Sequence, residues 1–364
     1  MRIIVLNCYS RNSLAVINSL DKSYKIIGGT ARKNLLFKPD RIFKSPYVSL
    51  IFRYTDPVEY PEIFKTDIIN ACNTYKADAV IPTGTAITNY LSYYKSDIAE
   101  STKAKILVED YQKLSQLADK WITCNVCTKL NIPIPKATLI QTKEDVEQIC
   151  DSFSFPIILK PRTSYASKGI QFFHNRESFK KYILNSKIDS SCLVQELIEG
   201  ELHDVALFAK DGKVLSILTQ KRLLSFYDFG GGGIINKTTY EPQLMEYGTR
   251  IAEYLKWNGV LEIDFIKQES NYYLLECNPK IWGTTHLTVK AGLNVVQQLI
   301  DTFVLNKPVE KRQNSYKVGL VYKWLFPECV SSWFHKPMTW EKFSKMEKRF
   351  PFPRPRISVS MFEK

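Results

Sequence analysis

Between Leu261 and Lys280 the chain reads LEIDFIKQESNYYLLECNPK, two apolar runs around the polar stretch from Gln268 to Asn271. A short polar turn between two such runs predicts an antiparallel β-hairpin. Residues i and i+2 of a strand share a face. Glu262 and Asp264 therefore share one face of the first strand, and Glu276 and Asn278 one face of the second. With the turn centred near Ser270, Asp264 lies opposite Glu276. Carboxylates about 4 Å apart repel by roughly 4 kcal/mol at an effective dielectric of about 20. Like charges facing each other across a sheet destabilise it, so this hairpin needs positive charge beside it.

The 364 residues allow about two or three domains with a substantial core. No apolar run reaches the length of a membrane span. The start, MRIIVLNCYSRN, has one short apolar run and no signal-peptide architecture. Eight cysteines without framework spacing favour reduced thiols and a cytoplasmic setting. Cys124-x-x-Cys127 lacks the second half-site that four-coordinate zinc needs, and reads as a packed helix face. The net charge of +13 suits either a nucleic-acid surface or an enzyme handling phosphates and anions. Lys and Arg are spread along the chain, and no recognition helix, zinc finger or RNA-binding signature accompanies them. That pattern disfavours nucleic acid.

Over the first hundred or so residues, strand-like RIIVL, YKIIGG, ADAVIPTG and KAKILV alternate with helix-like SRNSLAVINSL and DPVEYPEIFKTDIINACNTY. Such alternation predicts a doubly wound parallel sheet. Ligands of these sheets sit at the carboxyl ends of strands, which marks NCYSRN and PTGTAI, although their Gly, Ser and Asn also suit plain turns. DYQKLSQLADKWITCNVCTKLN reads as one helix stopped by IPIP. Strand KATLI, a helix from Thr142 with a cap-like start, strand FPIILKP, then KGIQFF and helix RESFKKYILNS follow. Asp211-Gly212 is a turn between two strands. Gly230 to Gly233 has no strand-then-helix context for a dinucleotide fingerprint, and reads as a mobile loop. HLTVKAGLNVVQQLIDTFVL reads as a last helix, and the tail from Lys311 is basic, aromatic and proline-rich.

Lys160 ends the apolar strand PIILK, ahead of RTSYASKG. Hydroxyls, backbone N–H groups and a cation there make a phosphate cradle. Acceptor oxygens from Asp264, Glu276 and Asn278 suit Mg²⁺, which shares oxygen ligands with nucleotide phosphates. The competing reading is a hairpin whose acids merely pair with nearby Lys or Arg. CLVQELIEGEL offers an apolar wall for a purine and backbone groups to read its edge. His286, near the metal segment, is read either as a substrate contact or as a helix cap.

From about Met1 to Leu305, these pieces in this order resemble the ATP-grasp superfamily, in particular its carboxylate–amine ligases. The series is ADK, IPIPKA, FPIILKP, KGI, LVQELIEGE, GVLEIDF and YYLLECNPKIWG. The resemblance implies an α/β chain: a doubly wound N-terminal (pre-ATP-grasp) domain over 1–112, then an α+β ATP-grasp domain of two subdomains. These are a small subdomain over 113–192 and a central, metal-binding one over 193–308, with 309–364 as an extension. It implies ATP and Mg²⁺ (two ions, with Mn²⁺ as a substitute) as cofactors, and small-molecule acid and amine substrates. It is compatible with a homodimer. Lys120, Lys160, Ser167, Lys168 and Gly169 correspond to phosphate contacts, and Gln195, Glu196, Leu197 and Ile198 to the adenine hinge. Asp264, Glu276 and Asn278 correspond to the metal positions, and Lys280 to a basic residue touching phosphate or substrate. Lys221 and Arg222 match a basic pair near the acyl-phosphate, with Arg222 on the transferring group. Where relatives often carry a ribose-binding Glu this chain has Leu202, leaving Glu201 or Asp204 for that contact. The implied activity is ligation of a carboxylate to an amine through an acyl-phosphate. Carboxyphosphate chemistry, glycan modification and a basic nucleic-acid module are the alternatives.

Overall fold

The computed structural model describes residues 1–31, 45–163, 169–186, 192–227, 230–308 and 315–324. The N-terminal part runs β1 (Arg2–Leu6), α1 (Arg11–Ser19), β2 (Lys25–Ala31), β3 (Val48–Tyr54), α2 (Pro61–Tyr75), β4 (Ala79–Ile81), α3 (Thr85–Tyr93), α4 (Lys95–Ser101) and β5 (Lys105–Ile106). Its strands form one parallel sheet in the order β3-β2-β1-β4-β5. Strand alternation splits β1 between two cores. Ile4 and Leu6 pack with Phe64 and Ile68 of α2, whereas Ile3 and Val5 pack with Val16 and Ile17 of α1. β3 was missing from the sequence reading because this edge strand exposes Leu50 and Ile51 and lacks a buried apolar run.

Next come α5 (Tyr111–Ala118), α6 (Lys120–Lys129), β6 (Ala137–Leu139), α7 (Asp145–Ser152), β7 (Ile157–Pro161), β8 (Gln171–Phe173), α8 (Arg176–Asn185) and β9 (Cys192–Glu196). The strands make a four-stranded antiparallel sheet, β6-β9-β7-β8, with α7 and α8 on its core. Two local expectations change. The long helix divides at Asp119, whose extended backbone and side chain cap a new helix. The α7 start is organised by Asp145, whose carboxylate accepts from the Gln141 and Thr142 N–H groups, each at 2.8 Å.

The rest runs β10 (Glu201–Lys210), β11 (Lys213–Tyr227), β12 (Gly230–Thr239), α9 (Pro242–Tyr254), β13 (Gly259–Gln268), β14 (Asn271–Asn278), α10 (Thr285–Lys290), α11 (Val295–Phe303) and β15 (Val321–Lys323). Its six-stranded sheet has the order β14-β13-β10-β11-β12-β15. Gly230 to Gly233 is therefore strand rather than loop, paired with β11 through Ser225 and Tyr227. The last helix is broken at Gly292, whose φ of +114° stops α-helical geometry. The tail returns as β15 on the β12 edge, while FPFPRPR lies outside the described residues.

One face of this sheet is apolar and buried against α9. A Cβ at Gly248 would come within 2.9 Å of Val205, so only glycine lets the helix settle there. The opposite face is polar around Asp204 and Asp264 and apolar towards α11, where Phe208 meets Phe303. A continuous core joins Ile3 and Val5 to Leu299 of α11 and Ile263 of β13, fixing the N-terminal sheet against the central one. No described helix is long and apolar enough to cross a membrane.

Candidate active site

The hairpin closes in the expected register: Asp264 faces Glu276 and Glu262 faces Asn278. Across the sheet Asp204 faces Asp264, and Gln220 faces Asp204. One row of the polar face thus reads Gln220, Asp204, Asp264, Glu276, with Glu262 and Asn278 beside it.

The positive charge that the hairpin requires comes from four separate places. Arg222 on β11 reaches Asp204 with Nη2 at 2.5 Å and Nε at 3.1 Å, and Asp264 with Nη2 at 2.7 Å. Burial opposes its charge, but Asp204 and Asp264 hold the Arg222 pKa well above its ordinary value. Lys120 Nζ lies 3.7 Å from Glu276 Oε2. Asp119 positions Lys120: its Oδ1 accepts from the N–H groups of Trp121 (2.9 Å) and Ile122 (3.2 Å). Arg162, just past β7, donates to Asp119 Oδ2 from Nε (3.0 Å) and Nη2 (2.6 Å). The Lys120 N–H in turn donates to the Arg162 carbonyl at 3.0 Å. This clamp ties the start of α6 to the end of β7, where Lys160 is buried. Burial and then Lys120 hold the Lys160 ammonium down at about 8, with Glu276 opposing them. Lys280 completes the set, its Nζ donating to Asn278 Oδ1 at 2.5 Å.

The carboxylates respond differently to these neighbours. Burial pushes Asp264 up to about 7; Arg222 opposes that rise, while Asp204 and Glu276 add to it. Burial, Asp264 and Asp204 push Glu262 well above its ordinary range, against Arg222 and Lys280. Burial would raise Glu276 as well, yet Lys120, Lys280 and Lys160 bring it below its ordinary value.

A cation fits this set. Asp264 Oδ1 is buried without a hydrogen-bond partner. Asp204, Glu262 and Asp264 each bring an oxygen within 4.8 Å of the others. The ammonium of Lys280 already occupies a cation's place on Asn278. All of these donors are oxygens, as a hard divalent ion requires. The carboxylate triplet shares only Asp264 with the expected Asp264–Glu276–Asn278 trio.

Other expected residues divide. Lys120, Lys160, Arg222 and Lys280 are brought together. Gln195 is buried in β9, and neither side-chain amide atom has a partner. The N–H groups of Glu196 and Leu197 are committed to the carbonyls of Lys136 (3.0 Å) and Pro156 (3.1 Å). They cannot also read a base edge, so the hinge expectation narrows to the carbonyls, Gln195 and Ile198. Gly169 has a φ of +81°, and a Cβ there would meet Pro161 at 2.9 Å. Ser167 and Lys168 lie outside the described residues. Two expectations are corrected because side chains alternate along a strand. Glu201 and Lys221 occupy the other face, ion-paired at 2.5 Å and partly exposed. Asp204 is fully buried beside Arg222, so it is no ribose contact. His286 neither caps a helix nor faces the acids; its ring lies 5.2 Å from Trp324. Gln220 was missed as a site residue and Asp204 was expected only as a ribose contact; their spacing from Arg222 along two long strands is the one signal that would have marked them.

The two N-terminal loops meet here as well. Ser10 Oγ lies 3.1 Å from Thr83 Oγ1. Arg11 donates to the Gly283 carbonyl at 3.0 Å and to the Gly233 carbonyl at 2.9 Å, and Asn12 to the Ile281 carbonyl at 3.0 Å. NCYSRN thereby braces the segment that follows β14.

Residues 117–284 match the family model described as an ATP-grasp domain. The D-alanine–D-alanine ligase of Petrotoga mobilis is 29% identical over 197 residues, covering 48% of this chain and 63% of that protein. Residues 117–284 form an ATP-grasp domain. A carbamoyl phosphate synthase large chain of Clostridium botulinum is 22% identical over 299 residues, 78% of this chain and 27% of that protein. The chain thus spans less than two thirds of the length of these curated relatives. Among solved structures, biotin carboxylase from Campylobacter jejuni superposes with a TM-score of 0.69 at 14% identity, over 88% of this chain and 74% of that one. An L-amino acid ligase from Bacillus licheniformis gives 0.64 at 13%, over 85% and 75%. Both confirm the expected fold class: an N-terminal doubly wound part followed by an ATP-grasp α+β part.

Proposed function

We propose that this ATP-grasp chain is an ATP- and Mg²⁺-dependent ligase that joins a carboxylate to an amine through an acyl-phosphate. The observation that carries this reading is the row of facing carboxylates bounded by Lys120 and Lys160 at one end and Arg222 at the other. A carboxylate is a poor acyl donor because its oxygen is a poor leaving group. Transfer of the γ-phosphoryl group onto it makes an acyl-phosphate that an amine can open.

In this reading Lys120 and Lys160 bind the nucleotide phosphates. Arg222 faces the transferring group, and Gln195 and Ile198 line the base. Asp264, Glu276 and Asn278 hold Mg²⁺, which when bound supplies charge neutralisation on the phosphates. The protein contributes alignment and fixed charge, and no general base from the chain is needed. The domain boundaries expected at 112, 192 and 308, a cytoplasmic setting and small-molecule substrates belong to the same proposal.

The test is a screen of amino acids and small acids for ADP formation, in which release must require both an acid and an amine. ADP released with bicarbonate alone would replace the reading with carboxyphosphate chemistry. That second reading is favoured by the likeness to biotin carboxylase and to the carbamoyl phosphate synthase chain.

A further inference from the structure

The sheet face that carries the acids changes character along its strands. Val260, two residues before Glu262 on β13, lies on the same face. It faces Phe208 across the sheet, and the Phe208 ring meets Phe303 of α11 with centroids 6.0 Å apart. The polar half ends at the Glu262–Asn278 pair, and next to it lies a cavity of about 360 Å³. Lys280, Val260, Leu107, Trp257, Leu299 and Phe303 line it. The carboxyl ends of β4 and β5 open onto it through Pro82 and Leu107, the end at which parallel sheets bind ligands. Lys280 belongs to both regions, since it lines the cavity while its Nζ donates to Asn278 Oδ1.

The polar groups of the wall are already committed within the protein. Glu109 accepts from the N–H groups of Asp110 (2.8 Å) and Asn258 (2.5 Å). Lys95 Nζ donates to Asp110 Oδ1 at 2.6 Å, Trp257 Nε1 to the Val260 carbonyl at 3.3 Å, and Thr88 Oγ1 to the Gly84 carbonyl at 2.8 Å. What the cavity offers a ligand is apolar surface with a cation at its inner end.

We propose that this cavity holds the apolar body of the carboxylate substrate, whose anionic head lies beside Lys280 and next to the metal set. This rests on the ligase reading above, and it assigns the acid to the apolar aliphatic or aromatic class. A molecule with one charged end and one apolar end matches a sheet face that is itself divided in this way. An acid's carboxylate is complementary to Lys280, whereas an ammonium there would meet a like charge. The cavity therefore belongs to the acid, and the amine reaches the acyl-phosphate from another side.

The probes are acetate, butyrate and hexanoate, titrated calorimetrically into the full chain with Mg²⁺ and a non-hydrolysable ATP analogue; hexan-1-ol and hexylammonium are the controls. Affinity should rise by about threefold to fourfold per added methylene, and hexanoate should bind about tenfold tighter than either control. Leu299→Trp fills the cavity and should abolish the gain with chain length, with nucleotide affinity kept within about twofold. Equal affinity for the three acids, or an undiminished gain in Leu299→Trp, overturns the proposal. Should that variant not fold, Ala99→Phe narrows the cavity from an exposed position on α4. It should weaken hexanoate relative to acetate by about fivefold or more, and an unchanged ratio overturns the idea. Lys280→Met should bind hexanoate and hexan-1-ol alike. A preference for hexanoate that survives Lys280→Met, or that is lost in Lys105→Ala at the exposed outer rim, also overturns it. If the nucleotide binds and chain length has no effect, only this inference falls. If the nucleotide itself fails to bind, the ligase reading falls first and this one with it.

Discussion

Asp264 and Glu276 face each other across one rung of the same hairpin, yet their acidities move in opposite directions. Glu276, at the edge strand, is reached by lysines from three elements and falls below its ordinary value. Asp264, one strand inward, has a single guanidinium that it shares with Asp204, and rises to about 7. The phosphate end of the row is thus rich in cations and the inner end is poor in them. Under the proposed function the nucleotide phosphates lie at the first end.

Removing the rung itself should have the largest effect. Glu276→Gln should lower kcat by at least about a thousandfold and leave the circular dichroism spectrum unchanged; full activity would refute its metal role. Arg222→Ala should cost about 3 kcal/mol in denaturant unfolding, since it leaves Asp204 and Asp264 buried and unpaired. At the phosphate end, Lys160→Ala should weaken ATP binding by about tenfold to a hundredfold, read by calorimetry; unchanged affinity would remove Lys160 from the phosphate set.

The same lysine predicts a pH dependence. Its pKa of about 8 means that the free protein loses this charge as the pH rises through that value, so ATP affinity should fall there. An unfolded lysine keeps its proton up to its ordinary 10.5, so the unfolded chain binds more protons from about 8 to 10.5. The group therefore adds stability as the pH rises across that window. The smallest effect belongs to the other face. Lys221→Ala breaks a partly exposed pair and should change stability by under about 1 kcal/mol, with kcat unaltered. A large loss of activity would mean that Lys221 works with Arg222 after all.

Much of this was legible in the sequence. Period-two alternation around a polar turn is a local property, and it alone placed Glu262, Asp264, Glu276 and Asn278 on one face and called for a nearby cation. Alternating strands and helices likewise foretold the parallel N-terminal sheet. The identity of the compensating cations was not local. Lys120, Lys160 and Arg222 become neighbours of the hairpin only through the Asp119–Arg162 clamp and the strand order β14-β13-β10-β11. No period in the sequence encodes strand order. The same sheet turned Lys221 and Glu201 away and brought Asp204 and Gln220 in, because a strand's two faces are assigned only when its partners and covering helix are known. Tertiary packing thus decided which charges meet, since electrostatic partners are chosen by distance in space rather than along the chain.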